Sequence, residues 1–378
     1  MLSMSFSTTP RIVLRDGALD DLPAMFAEFG VRHVALVTDA GLVRAGLVAP
    51  VEARLRAAGI AVTVYDEVQA DPPERIVLAA VEKLGAAGVD GVFAIGGGSA
   101  MDTAKLVAYL LRSPCELATI YGVDLAQGPR LPLILAPTTA GTGSEVTPIS
   151  IVTTPTEEKK GVVSRRLLPD VALLDPNLTL GLPPAVTAAT GIDAMVHAIE
   201  AFTSRRLKNP LSDVLAKQAL ALLSANLPVV LKDGQDKAAR GAMLLGSCLA
   251  GMAFANAPVA AVHALAYPLG GRYHVPHGLS NALMLLPVLR FNLSAAAPLY
   301  AELAPSVGAE GHSAEAFLAA VERLVAGCEM PKRLHELQVT RDSLPQLAAD
   351  AMQQQRLLIN NPVELTEADA LRLYEEAF

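Results

Sequence analysis

The chain has 378 residues, more than one simple hydrophobic core accommodates, so two domains are expected. Apolar residues make up 52% and charged residues 18%, a balance that excludes a disordered chain. The formal net charge of −8 offers no basic face and argues against nucleic acid as a partner.

Residues 1–10 have neither a basic start nor an apolar core, so no secretory signal is expected. Residues 33–38 (HVALVT) read as a buried strand closed by Asp39, and residues 47–58 as a helix. A second strand follows at 61–65. The helix at 73–87 starts at a proline, where the missing N–H costs little. A third strand at 89–95 runs into Gly96, Gly97 and Gly98, a helix continues from Ser99 to residue 111, and a fourth strand covers 131–136. This alternation predicts a parallel sheet with helices on both faces. After Leu182-Pro183-Pro184 the pattern changes to long apolar helices, at 184–203, 213–226, 236–254 and 314–326, with no convincing strand. The expected division is an α/β domain over 1–182 and an all-helical domain over 183–378. Residues 241–271 contain no Lys, Arg, Asp or Glu and are long enough to span a bilayer. Asn256, Pro258 and His263 interrupt them, and Ala and Gly dominate, so tightly packed buried helices are expected and no membrane partner. Cys115, Cys248 and Cys328 are far apart and suggest neither a disulfide framework nor a cysteine zinc site. A reducing, cytoplasmic setting fits them.

Two glycine-rich segments follow predicted strands. In AIGGGSAMDTAK, residues 94–105, a strand, three glycines and a helix start make a phosphate-binding arrangement, because backbone N–H groups and the helix dipole face the anion. The segment lacks the G-x-G-x-x-G spacing, and an ordinary tight turn with Ser99 as N-cap and Asp102 completing a capping pair is the competing reading. In APTTAGTGSEVT, residues 136–147, glycines alternate with the hydroxyls of Thr138, Thr139, Thr142 and Ser144, which suit a pyrophosphate or ribose, though polar loops share that composition. Ligands of open α/β sheets bind at the carboxyl ends of strands, where both segments lie. Asp39 sits at another such end. It either accepts from the ribose hydroxyls of NAD, repelling the 2′-phosphate of NADP, or caps the turn that follows.

In TGIDAMVHAIEAF, residues 190–202, Asp193 and His197 are spaced i, i+4 on one helical face among apolar neighbours. A buried carboxylate–imidazole pair needs a partner: a divalent cation, or simply each other. Three of the seven histidines, His263, His274 and His277, fall in VHALAYPLGGRYHVPHGLSNALMLLP, residues 262–287. One Asp with three His gives mixed N/O ligation suited to Fe(II), Zn(II), Co(II) or Ni(II).

GGGSAMDTAK, PTTAGTGSE, LDPNLTLGLPP, ATGIDAMVHAIEAF and VHALAYPLGGRYHVPHG, in this order, resemble the iron-containing (group III) alcohol dehydrogenases, with matching segments from Asp39 to NNPVELTEAD near the C-terminus. The resemblance implies a dehydroquinate synthase-like fold with an α/β dinucleotide-binding domain and an all-α C-terminal domain. It implies Asp193, His197, His263 and His277 as ligands of one divalent metal, Fe2+ in first place and Zn2+ or another as alternatives. The NAD-binding residues it implies are Asp39, Gly97, Gly98, Ser99, Asp102, Thr138, Thr139, Thr142 and, within a variable loop, Lys160. A homodimer follows from the same resemblance. The chemistry would be NAD(H)-dependent interconversion of a small-molecule alcohol and an aldehyde or ketone, with the cation lowering the pKa of the substrate oxygen and hydride passing to nicotinamide. His263, His277 and Tyr267 are the catalytic candidates. Tyr267 stands where many relatives carry a second histidine, H-x-x-x-H. A phenol, with a reference pKa of about 10 against about 6.5 for imidazole, is a poor base at neutral pH, which favours packing over proton relay.

Three other activities compete. A hydroxyacid dehydrogenase of the 4-hydroxybutyrate type requires Arg272 or Lys160 to face the substrate. A metal-free maleylacetate reductase-like enzyme has no use for Asp193 among histidines. A dehydroquinate synthase-like lyase needs several Lys and Arg where only Arg272 is near. Ile149, Phe254 and Leu265 are expected to line the substrate site and favour aliphatic alcohols.

Overall fold

The computed structural model describes residues 4–378. They form two compact units, one of residues Ser7–Thr139 and Gly143–Gly181, the other of Leu182–Phe378 with residues 4–6 and 140–142. The division is therefore not a single cut: the 140–142 segment, which carries Thr142, clusters with the helices.

In the first unit the elements in chain order are β1 (Arg11–Leu14), α1 (Leu22–Glu28), β2 (His33–Val37), α2 (Ala40–Arg44), α3 (Val48–Ala57), β3 (Ala61–Tyr65), α4 (Glu74–Ala87), β4 (Gly91–Gly96), α5 (Gly98–Arg112), β5 (Gly122–Val123), β6 (Leu133–Pro137), β7 (Ile149–Thr153), β8 (Lys159–Val163) and β9 (Val171–Leu174). Six strands form a wholly parallel sheet in the order β1-β9-β6-β4-β2-β3. Successive side chains of a strand point to opposite faces, and the two cores show it. Val34, Leu36, Phe93, Ile95, Ile134 and Leu173 pack with Leu22, Phe26, Val51 and Leu55 of α1 and α3 on one face. Ala35, Val37, Val92, Ala94, Leu133 and Leu135 pack with Ala80, Leu84, Met101 and Ala104 of α4 and α5 on the other. Both faces being covered explains why β4 and β6 read as continuous apolar runs. A smaller sheet, β5-β8-β7, joins an antiparallel pair (β7 and β8) to β5, which runs parallel to β8. Periodicity does not reveal β1, β5, β7, β8 or β9. They are short or carry Lys and Thr, and distant partners decide their pairing.

The second unit contains α6 (Pro184–Thr203), α7 (Pro210–Lys232), α8 (Lys237–Asn256), α9 (Ala261–Tyr273), α10 (His277–Leu303), α11 (Ala314–Ala326), α12 (Leu344–Ala351), α13 (Gln355–Leu358) and α14 (Glu367–Ala377), and no strand among the described residues. Pro184 opens α6 at the position where proline fits best. From Gly191 to Thr203 every residue of α6 is buried, which makes it the central helix of this unit. The charge-free run 241–271 is not one helix, since α8 ends at Asn256 and α9 begins at Ala261. Three helices, Pro210–Lys232, Lys237–Asn256 and His277–Val307, are long and apolar enough to cross a membrane by length and composition. Residues of their apolar stretches are buried inside the protein in proportions of 33%, 56% and 50%.

Candidate metal centre and cofactor loops

Two helices and a third helix start bring four donors together. Asp193 and His197 project from one face of α6, His263 lies in the first turn of α9, and His277 is the first residue of α10. The close approach of α10 depends on Gly278. A Cβ there would lie 2.7 Å from the Ala189 carbonyl oxygen, so only glycine lets this helix start rest against α6. One ligand atom from each of Asp193, His197, His263 and His277 lies within 4.8 Å of the other three. His197 Nε2 and His263 Nε2 are 3.0 Å apart, and Asp193 Oδ1 is 4.0 Å from His263 Nε2 and 3.8 Å from His277 Nε2. Asp193, His197 and His263 are buried, whereas the His277 side chain is 30% exposed, which leaves one side of the cluster accessible. His274 holds the left-handed position that ends α9, at φ 53°, and is not in the cluster.

The electrostatics fit a cation. Burial pushes the His197 imidazole down to about 3, so it is a neutral ligand at physiological pH. Burial alone would raise the Asp193 carboxyl, but His197, His277, His263 and the Asn281 amide outweigh it and hold the group below its ordinary value. Asn281, one turn after His277, directs Nδ2 into the centre of the cluster: 2.6 Å from Asp193 Oδ1 and 3.2 Å from Nε2 of both His263 and His277. Its two protons face three acceptors, and its buried Oδ1 has no partner. A divalent cation supplies the positive charge that this crowd of lone pairs lacks. Phe254 stacks on His197 at 4.3 Å between ring centroids, and the rings of Tyr267 and His277 are 6.0 Å apart.

Sequence reasoning missed Glu200, although its spacing of i+7 from Asp193 was legible. The Glu200 carboxylate accepts from His263 Nδ1 at 2.6 Å and from the Val262 backbone N–H at 2.7 Å. Asn281 was missed because it lies i+4 from His277 on a helix the sequence did not delimit.

In the α/β unit, Asp39, the 96–99 turn and Thr138-Thr139 follow β2, β4 and β6, three neighbours in the sheet with Val37 opposite Ala94 and Gly96 opposite Pro137. The helix after β4 begins at Gly98 with Gly97 as N-cap and no side-chain cap, so Ser99 is not the N-cap expected as the competing reading. The two glycines differ. A Cβ on Gly96 would lie 2.5 Å from Ala100 Cβ, whereas one on Gly97 would meet nothing nearer than Thr139 at 3.7 Å. Gly96 is required by packing, whereas a side chain at Gly97 would make only ordinary contact with Thr139, so what Gly97 and Gly98 offer a phosphate is the N–H groups of the helix start. Thr138 is buried and its N–H donates to the Gly96 carbonyl at 3.0 Å.

Asp102 and Lys105 join the two glycine segments. Asp102 accepts from Ser144 Oγ at 2.6 Å and from the Ile151 N–H at 2.8 Å. The fully buried Lys105 ammonium donates to Ser144 Oγ and the Ile149 carbonyl, both at 2.7 Å, and to Thr147 Oγ1 at 3.1 Å. Asp102 thus has both carboxylate oxygens engaged within the protein. Asp39 accepts from the N–H groups of Gly41 and Leu42 through Oδ1 and caps α2. Lys160 lies on β8 with its ammonium 3.2 Å from Glu158. Arg272 pairs with Asp350, and Leu265 is wholly buried with its carbonyl accepting from Tyr374. Leu265 is therefore packed in the core of the helical unit.

Comparison with known proteins decides the family. The model of the iron-containing alcohol dehydrogenases matches residues 9–176, and that of the C-terminal domain of the Fe-containing alcohol dehydrogenase family matches 187–378. The chain belongs to the iron-containing alcohol dehydrogenase family. It is 43% identical to the long-chain-alcohol dehydrogenase 1 of Geobacillus thermodenitrificans over 96% of this chain and 93% of that protein. Its fold is similar to the crystal structure of a 1,3-propanediol oxidoreductase, with a TM-score of 0.96 at 34% identity over the whole of both chains. It is also similar to a sulfoacetaldehyde reductase from Bifidobacterium kashiwanohense in complex with NAD+, with a TM-score of 0.89 at 30% identity over 100% of this chain and 99% of that one. As a member of the iron-containing alcohol dehydrogenases, the protein is a metal-dependent oxidoreductase acting on alcohols and aldehydes.

Proposed function

We propose that Asp193, His197, His263 and His277 hold one divalent cation, Fe2+ before Zn2+, and that the enzyme oxidises small or medium aliphatic alcohols, and reduces the matching aldehydes, with NAD(H) in preference to NADP(H). The convergence of one carboxylate and three imidazoles within 4.8 Å is the observation that carries this reading. When bound, the metal supplies a Lewis acid for the substrate oxygen. The residues of the chain do the rest. Asp193 contributes the anionic ligand, and His197, His263 and His277 contribute imidazole nitrogens. The half-buried face beside His277 and Tyr267 admits the substrate, and the apolar ring of Phe254 excludes water from His197. Gly97, Gly98 and Ser99 offer backbone N–H groups to the cofactor phosphates, and Thr138, Thr139 and Thr142 offer hydroxyls. Asp39 keeps Oδ2 for a ribose hydroxyl while Oδ1 caps α2. Asp102 acts through the loops it ties together. Lys160 serves the cofactor only by leaving Glu158.

A hydroxyacid substrate is less favoured, since Arg272 and Lys160 already have acidic partners. A metal-free reductase leaves Asp193 unexplained. A homodimer working in the cytoplasm, without nucleic acid or membrane as partner, completes the reading; the acidic charge speaks against nucleic acid, and the three dispersed cysteines suit a reducing setting. The test is a screen of alcohols, aldehydes and hydroxyacids, followed by NADH absorbance, with Fe2+, Zn2+ and Co2+ restored in turn to stripped protein. His263→Ala is expected to lose both metal and turnover. Stoichiometric metal in that variant by elemental analysis refutes the ligand set.

A further inference from the structure

We propose that Glu200 is the positioning residue that makes His263 a metal ligand. The inference rests on the ligand set proposed above. His263 can offer Nε2 to a cation only if the proton of its neutral ring sits on Nδ1 and the ring is held against rotation. Glu200 does both. Its Oε2 lies 2.6 Å from His263 Nδ1, and a carboxylate accepts there, so the proton is fixed on Nδ1 and the Nε2 lone pair faces the cluster.

The carboxylate is itself held in place. Glu200 lies on α6, 4% exposed, seven residues after Asp193 and three after His197 on the same buried helix. Its Oε1 accepts from the Val262 N–H at 2.7 Å. Ala260, the N-cap of α9, makes no side-chain cap, so Glu200 from another helix satisfies a free N–H of the α9 first turn and places negative charge at its positive end. One side chain therefore fixes the start of α9 and the ring of the ligand that α9 carries. Of the three helices that carry the proposed ligands, α6 and α9 are coupled directly through it.

These two duties separate in a Glu200→Gln variant. Glutamine keeps the shape but has one acceptor oxygen, so it can serve the Val262 N–H or His263 Nδ1 and not both, and its NH2 group opposes whichever donor remains. The experiment strips the full-length protein of metal and measures Zn2+ and Co2+ affinity by competition with a chromophoric chelator. The Co2+ visible spectrum, the melting temperature of the stripped protein and NAD affinity are recorded alongside. Expected for Glu200→Gln is a 10–100-fold weaker metal affinity and an altered Co2+ spectrum, with NAD affinity unchanged. Glu200→Ala is expected to be weaker still, and if it fails to fold the isosteric glutamine carries the test. Affinity within twofold of wild type and an unchanged Co2+ spectrum in Glu200→Gln, with His263→Ala losing metal, would overturn the positioning role and leave Glu200 a cap of α9. Retention of metal by His263→Ala would overturn the ligand set, and the role of Glu200 with it.

Discussion

At the scale of single residues, Tyr267 and Asp39 each have two competing roles. Tyr267 lies one turn after His263, with its ring 6.0 Å from that of His277. An apolar helix face is an ordinary home for tyrosine, and a phenol is a weak base near neutrality. Packing is the expected role, so Tyr267→Phe should keep its rate and pH profile. A loss of tenfold or more in kcat, the range of general acid–base catalysis, would assign it a proton relay instead. Asp39 presents the other residue-scale choice. Its Oδ1 accepts from the α2 N–H groups, so in the proposed cofactor site a 2′-phosphate placed at Oδ2 would meet an anion already fixed in place. Asp39→Gly is expected to narrow or reverse the preference for NAD in kcat/KM for the two cofactors, and equal use of both by the wild type would remove the basis for this role.

At the scale of elements, two packing contacts govern the sites. The α10 start rests on α6 through Gly278, with a backbone carbonyl where a Cβ would be. A backbone obstacle yields little, so Gly278→Ala is expected to cost about 1–3 kcal/mol and to displace His277. The measurable result is a lower melting temperature together with substoichiometric metal, and an unchanged metal content would contradict it. In the α/β unit, Glu145 is wholly buried beside Lys105, and burial pushes its carboxyl up from an ordinary 4.5 to about 7. Because the folded value lies above the unfolded one, the group's contribution to stability is present below pH 4.5 and is lost as pH rises through 7. The ceiling on that loss is about 3 kcal/mol at 1.36 kcal/mol per unit. Glu145→Gln, neutral at every pH, should therefore melt higher than wild type at pH 8 and lose that advantage by pH 5. Parallel melting curves for the two proteins across that range would show that burial does not govern Glu145. The small sheet of β5, β7 and β8 belongs to this scale too. Nothing local marks residues 159–163 (KKGVV) as a strand, since its identity comes from pairing with β7 and β5.

For the whole molecule, the exposed apolar residues matter most. Leu207 is 71% exposed and Val214 67%, large values for a chain that is 52% apolar. The homodimer proposed above would give such residues a partner surface, and it is tested by the mass in solution. Light scattering at micromolar concentration should give twice the 39.5 kDa chain mass, and a stable monomer would refute the homodimer.

The sequence by itself determined the alternation of β2 to α5, the helical character after Leu182, and the residue types of both sites. These are carried by local patterns: apolar periodicity, glycines after strands, and the i, i+4 spacing of Asp193 and His197. Even Glu200 stood in that pattern, at i+7. What it does was decided only by the tertiary structure, because its partner His263 is 63 positions away on a helix that has no cap of its own. The same holds for Asp102. Its spacing from Ser99 reads as a capping pair or a cofactor ligand, yet the fold turns its carboxylate to Ser144 and Ile151 and sets Lys105 beside them. Local sequence fixes which groups can donate and accept. Burial decides which of them must find a partner, and only the packing of distant segments determines which partner that is.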